Sequence, residues 1–175
     1  KVKHYYTEPY PYAFQNVVVI GSSNSSVDAA LEIYRKGGNV TMIIRSNEIS
    51  KSVKYWVKPD IENRIKEGSI KAFFGAELLE VKDQSVVFKT KKKEIHEVEN
   101  DFVLAMTGYL PDFEFLKNMG INLKGECLNP HYNNETMESN VEGIYLAGVV
   151  CGGKDTHLWF IENSRIHAKQ IIKDI

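Results

Sequence analysis

Two nearly unbroken apolar runs with a helical pattern between them constrain this chain more than any other feature. Asn16 to Ile20 (NVVVI) and Val40 to Ile44 (VTMII) are rich in β-branched residues and lack polar alternation, as expected of strands buried on both faces of a parallel sheet. Between them, Val27, Ala30, Leu31 and Tyr34 fall at i, i+3, i+4 and i+7, one face of a helix from Ser25 to Lys36. Gly37-Gly38 supplies its left-handed stop. Strand, helix and strand within roughly 30 residues make a right-handed βαβ crossover with parallel strands.

The rest of the chain extends this unit and then leaves it. Pro59 suits a first helical turn, Ile61 and Ile65 share a face, and Gly68 closes that helix before a third strand at Ile70 to Phe74. Three alternating segments, Glu77 to Val81, Ser85 to Lys89 and Glu94 to Val98, read as an antiparallel meander. Phe102 to Met106 (FVLAM) is again a buried strand. Beyond Gly108 to Pro111 the character changes. Asp112 caps a short helix ending near Met119, Asn122 to Asn140 is irregular, Gly143 to Ala147 (GIYLA) reads as a last buried strand, and a helix runs from about His157 to Lys173. The expected fold is α/β: a Rossmann-like parallel sheet with an antiparallel β-meander insertion, plus a partial second α/β domain. Residues 1–14, rich in Tyr and Pro, read as a linker, residues 15–107 as a nucleotide-binding domain, and 108–175 as part of another.

Charge and cysteine content narrow the function. With 22 basic and 23 acidic side chains the formal net charge is −1, which gives no field to gather nucleic acid or an anionic membrane. The one basic run, Lys89 with Lys91 to Lys93, falls between two strand segments and reads as a solvated hairpin tip. Cys127 and Cys151 are too few for a disulfide framework or a metal site, so the expected compartment is the reducing cytoplasm and no metal ligand is assigned. No apolar run approaches the roughly 20 residues needed to span a bilayer. The chain opens on Lys1 rather than Met, which is consistent with a segment preceding it.

The turn after the first strand is where a dinucleotide's pyrophosphate would meet the N–H donors of a helix start. It reads Gly21-Ser22-Ser23-Asn24-Ser25-Ser26. Gly21 keeps the turn-making glycine, Ser23 stands where a second glycine is usual, and Ser26 where a small residue lets helix and strand pack. Taken alone, the loop fits a strand-to-helix turn of any doubly wound protein equally well. The second strand adds a reader. An acidic residue at its end would hold the ribose 2′-hydroxyl of NADH, whereas an arginine takes the 2′-phosphate of NADPH. Here Arg45 follows VTMII directly, with Ser46 after it and Lys51 farther along the loop. NADPH is therefore the expected nucleotide; the alternative is a solvated loop arginine, with Glu48 in an acidic role.

The segments VVVIGSSNSSVDAALEIYRKGGNVTMIIRS, DFVLAMTGYLPD and EGIYLAGVVCGG together resemble the nucleotide domain, interdomain crossover and carboxyl-terminal flavin segment of thioredoxin-reductase-like flavoproteins. SKSVKYWVKPDIENRIKEGSI and AGVVCGGKDTHLWFIENSRIHA are most similar to the bacillithiol-disulfide-reductase type. The resemblance implies that Thr107 and Gly108 mark the crossover, that Gly148 contacts FAD, and that residues 108–175 are the carboxyl-terminal portion of an FAD domain. Two departures stand out. Val149 replaces the acidic residue usual after that glycine, and residues 15–107 hold no Cys-x-x-Cys, so no catalytic residue is assigned.

Only one βαβ unit is present. The expected function is that of the NADPH-binding portion of a flavin-dependent oxidoreductase that reduces a low-molecular-weight disulfide or another acceptor, with self-association left open. The rivals are a piece of a flavin monooxygenase or NADPH-ferredoxin-type reductase, and a non-catalytic dinucleotide-binding module.

Overall fold

The computed structural model describes all residues, 1–175, and the chain divides into two compact units, Lys1–Thr107 and Gly108–Ile175. The first contains β1 (Val2–Lys3), β2 (Asn16–Ile20), α1 (Asn24–Arg35), β3 (Asn39–Ile44), α2 (Lys58–Lys66) and β4 (Lys71–Phe74). It continues with β5 (Ala76–Val81), β6 (Ser85–Thr90), β7 (Ile95–Glu99) and β8 (Phe102–Ala105). The second contains α3 (Phe113–Asn118), β9 (Leu123–Lys124), β10 (Asn129–Pro130) and α4 (Ile161–Asp174).

In the first unit five parallel strands run in the order β1-β8-β2-β3-β4, and β5, β6 and β7 form a separate antiparallel sheet. Successive residues of a strand point to opposite faces, so each inner strand serves two cores. Val17 and Val19 of β2, Met42 and Ile44 of β3 and Leu104 of β8 pack with Ala30, Leu31 and Ile33 of α1 and Ile61 of α2. Val18, Ile43 and Val103 face the other way, onto Ala76, Val86 and Phe88 of the meander. The parallel sheet is thus covered by helices on one face and by the meander on the other. That two-sided burial explains the unbroken apolar runs.

Residues 1–14 are not the linker that their composition suggests. Val2 and Lys3 pair in parallel with Val103 and Leu104, because β8 would otherwise present an open sheet edge. Tyr6 donates its hydroxyl to Glu32 Oε2 on α1 at 2.6 Å, and Tyr12 is buried edge-on against Phe102. The apolar bodies of these tyrosines, with one hydroxyl bonded, bind the segment to the domain.

The second unit has its own core of Leu116, Ile121, Met137, Leu146 and Cys151. The Asp112 carboxylate accepts from Phe115 N–H at 2.9 Å, capping α3 as its sequence implies. Asp112→Ala is expected to lower stability by about 1 kcal/mol, read as a shift of the urea midpoint with unchanged slope.

Two expectations fail in this unit. GIYLA is not a strand: Tyr145 forms an isolated bridge with Glu138 and Leu146 N–H donates to Met137 O, with no ladder beyond them. The final helix begins at Ile161 rather than near His157. Asp155 and Leu158 N–H groups close turns onto Gly152 and Asp155, and Asn163 Oδ1 accepts from Phe160 N–H at 2.7 Å, fixing the start. Thr156 and His157 therefore do not form a helix amino end. No helix of the chain is long and apolar enough to cross a membrane.

Candidate functional site

From β4 the chain passes through the meander and returns as β8 on the far side of β2, so the strand order reverses beside β2. A crevice at the carboxyl ends of parallel strands, at such a switch point, is where open α/β sheets bind ligands. The glycine loop lies there. Gly21 N–H donates to Ile43 O, and Gly21 has φ +132°, a conformation open only to glycine. A Cβ on it would lie 2.5 Å from Met106 O, just beyond β8.

Helix α1 begins at the next turn with Ser23 as an extended N-cap whose hydroxyl makes no internal bond. The Ser23 carbonyl instead accepts from Val27 N–H and from Ser26 Oγ, which is buried where a small residue was expected. Ser23 and Ser25 stay exposed, with free hydroxyls beside the unpaired N–H groups of the first helical turn. This provides several donors and a small positive potential. A pyrophosphate fits it: the helix start is open, and the closest approach of backbone to backbone occurs at the residue without a side chain.

Structure joins this loop to the one after β3. Ser46 Oγ lies 3.3 Å from Ser22 Oγ, and Ser50 N–H donates to Ser22 O. Asn24 Nδ2 donates to Ser52 O while its Oδ1 accepts from Lys54 N–H, each at 3.0 Å. Ile49 and Val53 anchor the same loop in the core. Asn24 is thus occupied as a brace rather than presented to a ligand, a role its position in the fingerprint did not reveal. Lys51 rides on the braced loop, exposed and unpaired. Arg45 is also exposed, without hydrogen bond or ion pair, and its side chain lines a cleft against the meander.

The positions that the resemblance assigns to flavin are different in kind. Thr107 ends the first unit and Gly108 opens the second, both exposed. Gly148 starts a 3-10 turn, Gly148–Gly152, and its N–H donates to His167 Nδ1 at 3.1 Å. That donor is committed, Val149 is apolar, and the turn has open space at Gly148 but no polar side chain to offer. This chain by itself therefore fits a flavin only as a surface of close approach. Cys151 in the turn is buried, and burial pushes its thiol up to about 11, so it is not a thiolate nucleophile at neutral pH. Cys127 is raised as well, chiefly by its hydrogen bond with Asp155. His167 is the buried polar residue of this unit that sequence reading left without a role. Burial lowers its pKa below the ordinary value, and its ring packs against Trp159 with centroids 4.4 Å apart.

Known proteins agree with this architecture. A family model described as "Pyridine nucleotide-disulphide oxidoreductase" matches residues 1–148. The bacilliredoxin reductase Bdr of Bacillus subtilis is 46% identical over all of this chain and 54% of its own length. The structure of bacillithiol disulfide reductase Bdr (YpdA) from Bacillus cereus superimposes with a TM-score of 0.94 at 42% identity, covering 99% of this chain and 53% of that one. Thioredoxin reductase of T. acidophilum, at 23% identity, shares the fold with a TM-score of 0.72 over 95% of this chain and 54% of its own. The chain thus spans about half the length of these relatives. The resemblance carried by the glycine-loop, crossover and GIYLAGVVCGG segments is borne out, and the chain belongs to the pyridine nucleotide-disulphide oxidoreductase family.

Proposed function

We propose that this chain is the NADPH-binding portion of a flavin-dependent disulfide oxidoreductase acting in a reducing compartment, the cytoplasm, on the disulfide of a low-molecular-weight thiol. When bound, NADPH supplies a hydride whose electrons FAD relays to the acceptor. The chain's own residues bind and orient the nucleotide. Gly21 lets the backbone approach the pyrophosphate, while the first N–H groups of α1 and the hydroxyls of Ser22, Ser23 and Ser25 donate to it. Asn24 holds the loop carrying Ser46 and Lys51 in register with that donor set. Arg45 and Lys51 read the 2′-phosphate, Arg45 through a guanidinium that can take two phosphate oxygens at once. Thr107, Gly108 and Gly148 belong to the flavin side by resemblance. The acceptor class is supported by the name of the Bacillus cereus relative, a bacillithiol disulfide reductase.

One observation carries the nucleotide assignment: the cation at the carboxyl end of β3 is uncompensated, beside a switch-point glycine that admits no side chain. Calorimetric titration with NADPH and NADH tests it. The wild-type chain is expected to prefer NADPH, and Arg45→Ala to lose about 2 kcal/mol toward NADPH, roughly thirtyfold, with NADH binding unchanged. Equal wild-type affinities for the two nucleotides would overturn the 2′-phosphate assignment.

A further inference from the structure

The basic run, assigned no role on sequence grounds, is fastened to the loop that carries Arg45. Lys91 Nζ donates to Asn47 Oδ1 at 2.7 Å. The Lys91 stem crosses Gly75, where an added Cβ would lie 2.9 Å from Lys91 Cγ and Cδ. Gly75 N–H in turn donates to Ser46 O at 2.9 Å. Two links thus tie the β6–β7 hairpin tip and the end of β4 to residues 46 and 47.

Arg45, Lys89, Lys91 and Lys93 line one cleft of about 640 Å³, within the range of small-ligand sites. Its one carboxylate, Glu77, is taken up by Lys89, with Nζ and Oε2 2.9 Å apart. The group that orients Lys91 is a neutral carboxamide, which leaves its charge uncompensated. Arg45 and Lys93 have no ion pair at all. Three of the four cations that line the cleft therefore lack an ionic partner, its one carboxylate being held by the fourth, and an anion entering the cleft would meet a net positive lining. Glu48 and Lys92 are not part of that lining, and Lys51, also outside it, would reach the same phosphate from the loop after β3.

We infer that Lys91, supported by Lys93, is a specificity-determining residue for NADPH, holding the 2′-phosphate from the meander side of the cleft while Arg45 holds it from the end of β3. This rests on the NADPH reading above and adds a second structural element to it. The two cations differ usefully: the guanidinium supplies planar paired donors, the ammonium a point charge that reaches from a hairpin.

The probes are 2′,5′-ADP and 5′-AMP, titrated into the wild-type chain and into Arg45→Ala, Lys91→Gln and Lys92→Gln. Lys92→Gln removes the same charge from the same hairpin tip but outside the cleft. Lys91→Gln is expected to weaken 2′,5′-ADP about fivefold and leave 5′-AMP unchanged, as suits a partly screened charge-assisted bond. Lys92→Gln is expected to alter neither by more than about twofold. A preference for 2′,5′-ADP that survives Lys91→Gln but not Arg45→Ala overturns the inference and leaves the NADPH reading intact. Equal losses from Lys91→Gln and Lys92→Gln also overturn it, reducing the effect to diffuse charge. No preference in the wild type overturns both. Thermal unfolding of each variant separates lost contacts from lost structure; because Lys91 is exposed, losing its bond to Asn47 is expected to shift the midpoint only slightly.

Discussion

Gly21→Ala is expected to cost at least about 3 kcal/mol of stability and to remove measurable NADPH binding. Two independent penalties meet at this position. The backbone at φ +132° is closed to residues with a side chain, which alone costs of order 1–3 kcal/mol. The new methyl would also sit 2.5 Å from Met106 O, and the oxygen it meets is backbone that follows β8 directly. Relief requires β2 and β8 to part at the carboxyl ends that form the crevice. Binding should therefore fail even under conditions where the fold survives. Urea unfolding reads the first effect and calorimetric titration the second. A variant with wild-type midpoint and wild-type affinity would show that the loop does not need its close approach.

His167→Ala is the counterpart in the second unit, with an expected loss of about 3 kcal/mol. The ring is buried, packs on Trp159 and accepts the Gly148 N–H, so its removal leaves both a cavity and an orphaned donor. The pH dependence has a definite sign. Burial holds the folded pKa below the ordinary 6.5, so the unfolded chain takes up a proton first. The contribution of His167 is complete above about pH 6.5 and is lost as pH falls from there toward the lowered folded value. His167→Gln can keep an acceptor for Gly148 and should be less destabilising than His167→Ala, with a flatter profile between pH 7 and 5.5. A wild-type curve that rises as pH falls through this window would contradict the assignment.

What the sequence disclosed follows the physics of its segments. β2, α1 and β3 were legible because two-sided burial writes unbroken apolar runs and a one-sided helix writes a 3.6-residue period. The α3 start was legible from Asp112, whose side chain does its capping locally. The edge strand Val2–Lys3 was not, since two residues carry no period and the strand exists only because Val103 and Leu104 are there to receive it. GIYLA misled for the opposite reason: an apolar run states that a segment is buried, not that a partner strand lies beside it. The site divided in the same way. Gly21 and Arg45 follow from one crossover, whereas the Asn24 brace and the placing of Lys91 on Asn47 depend on contacts between segments distant in sequence.

The central position of β2 also dictates an order of events as the chain emerges and folds. β2 and β3 can pair early, and the meander closes by local antiparallel contacts. The other edge of β2 must wait for β8, since Asn16 N–H meets Asp101 Oδ2 across 85 residues. Until then NVVVI stands with one edge open, an apolar and β-branched stretch of the sort that recruits stray strands. Pairings of such long range are slow to form. The strand that precedes the glycine loop is thus open to misassociation until Phe102–Ala105 pairs with it.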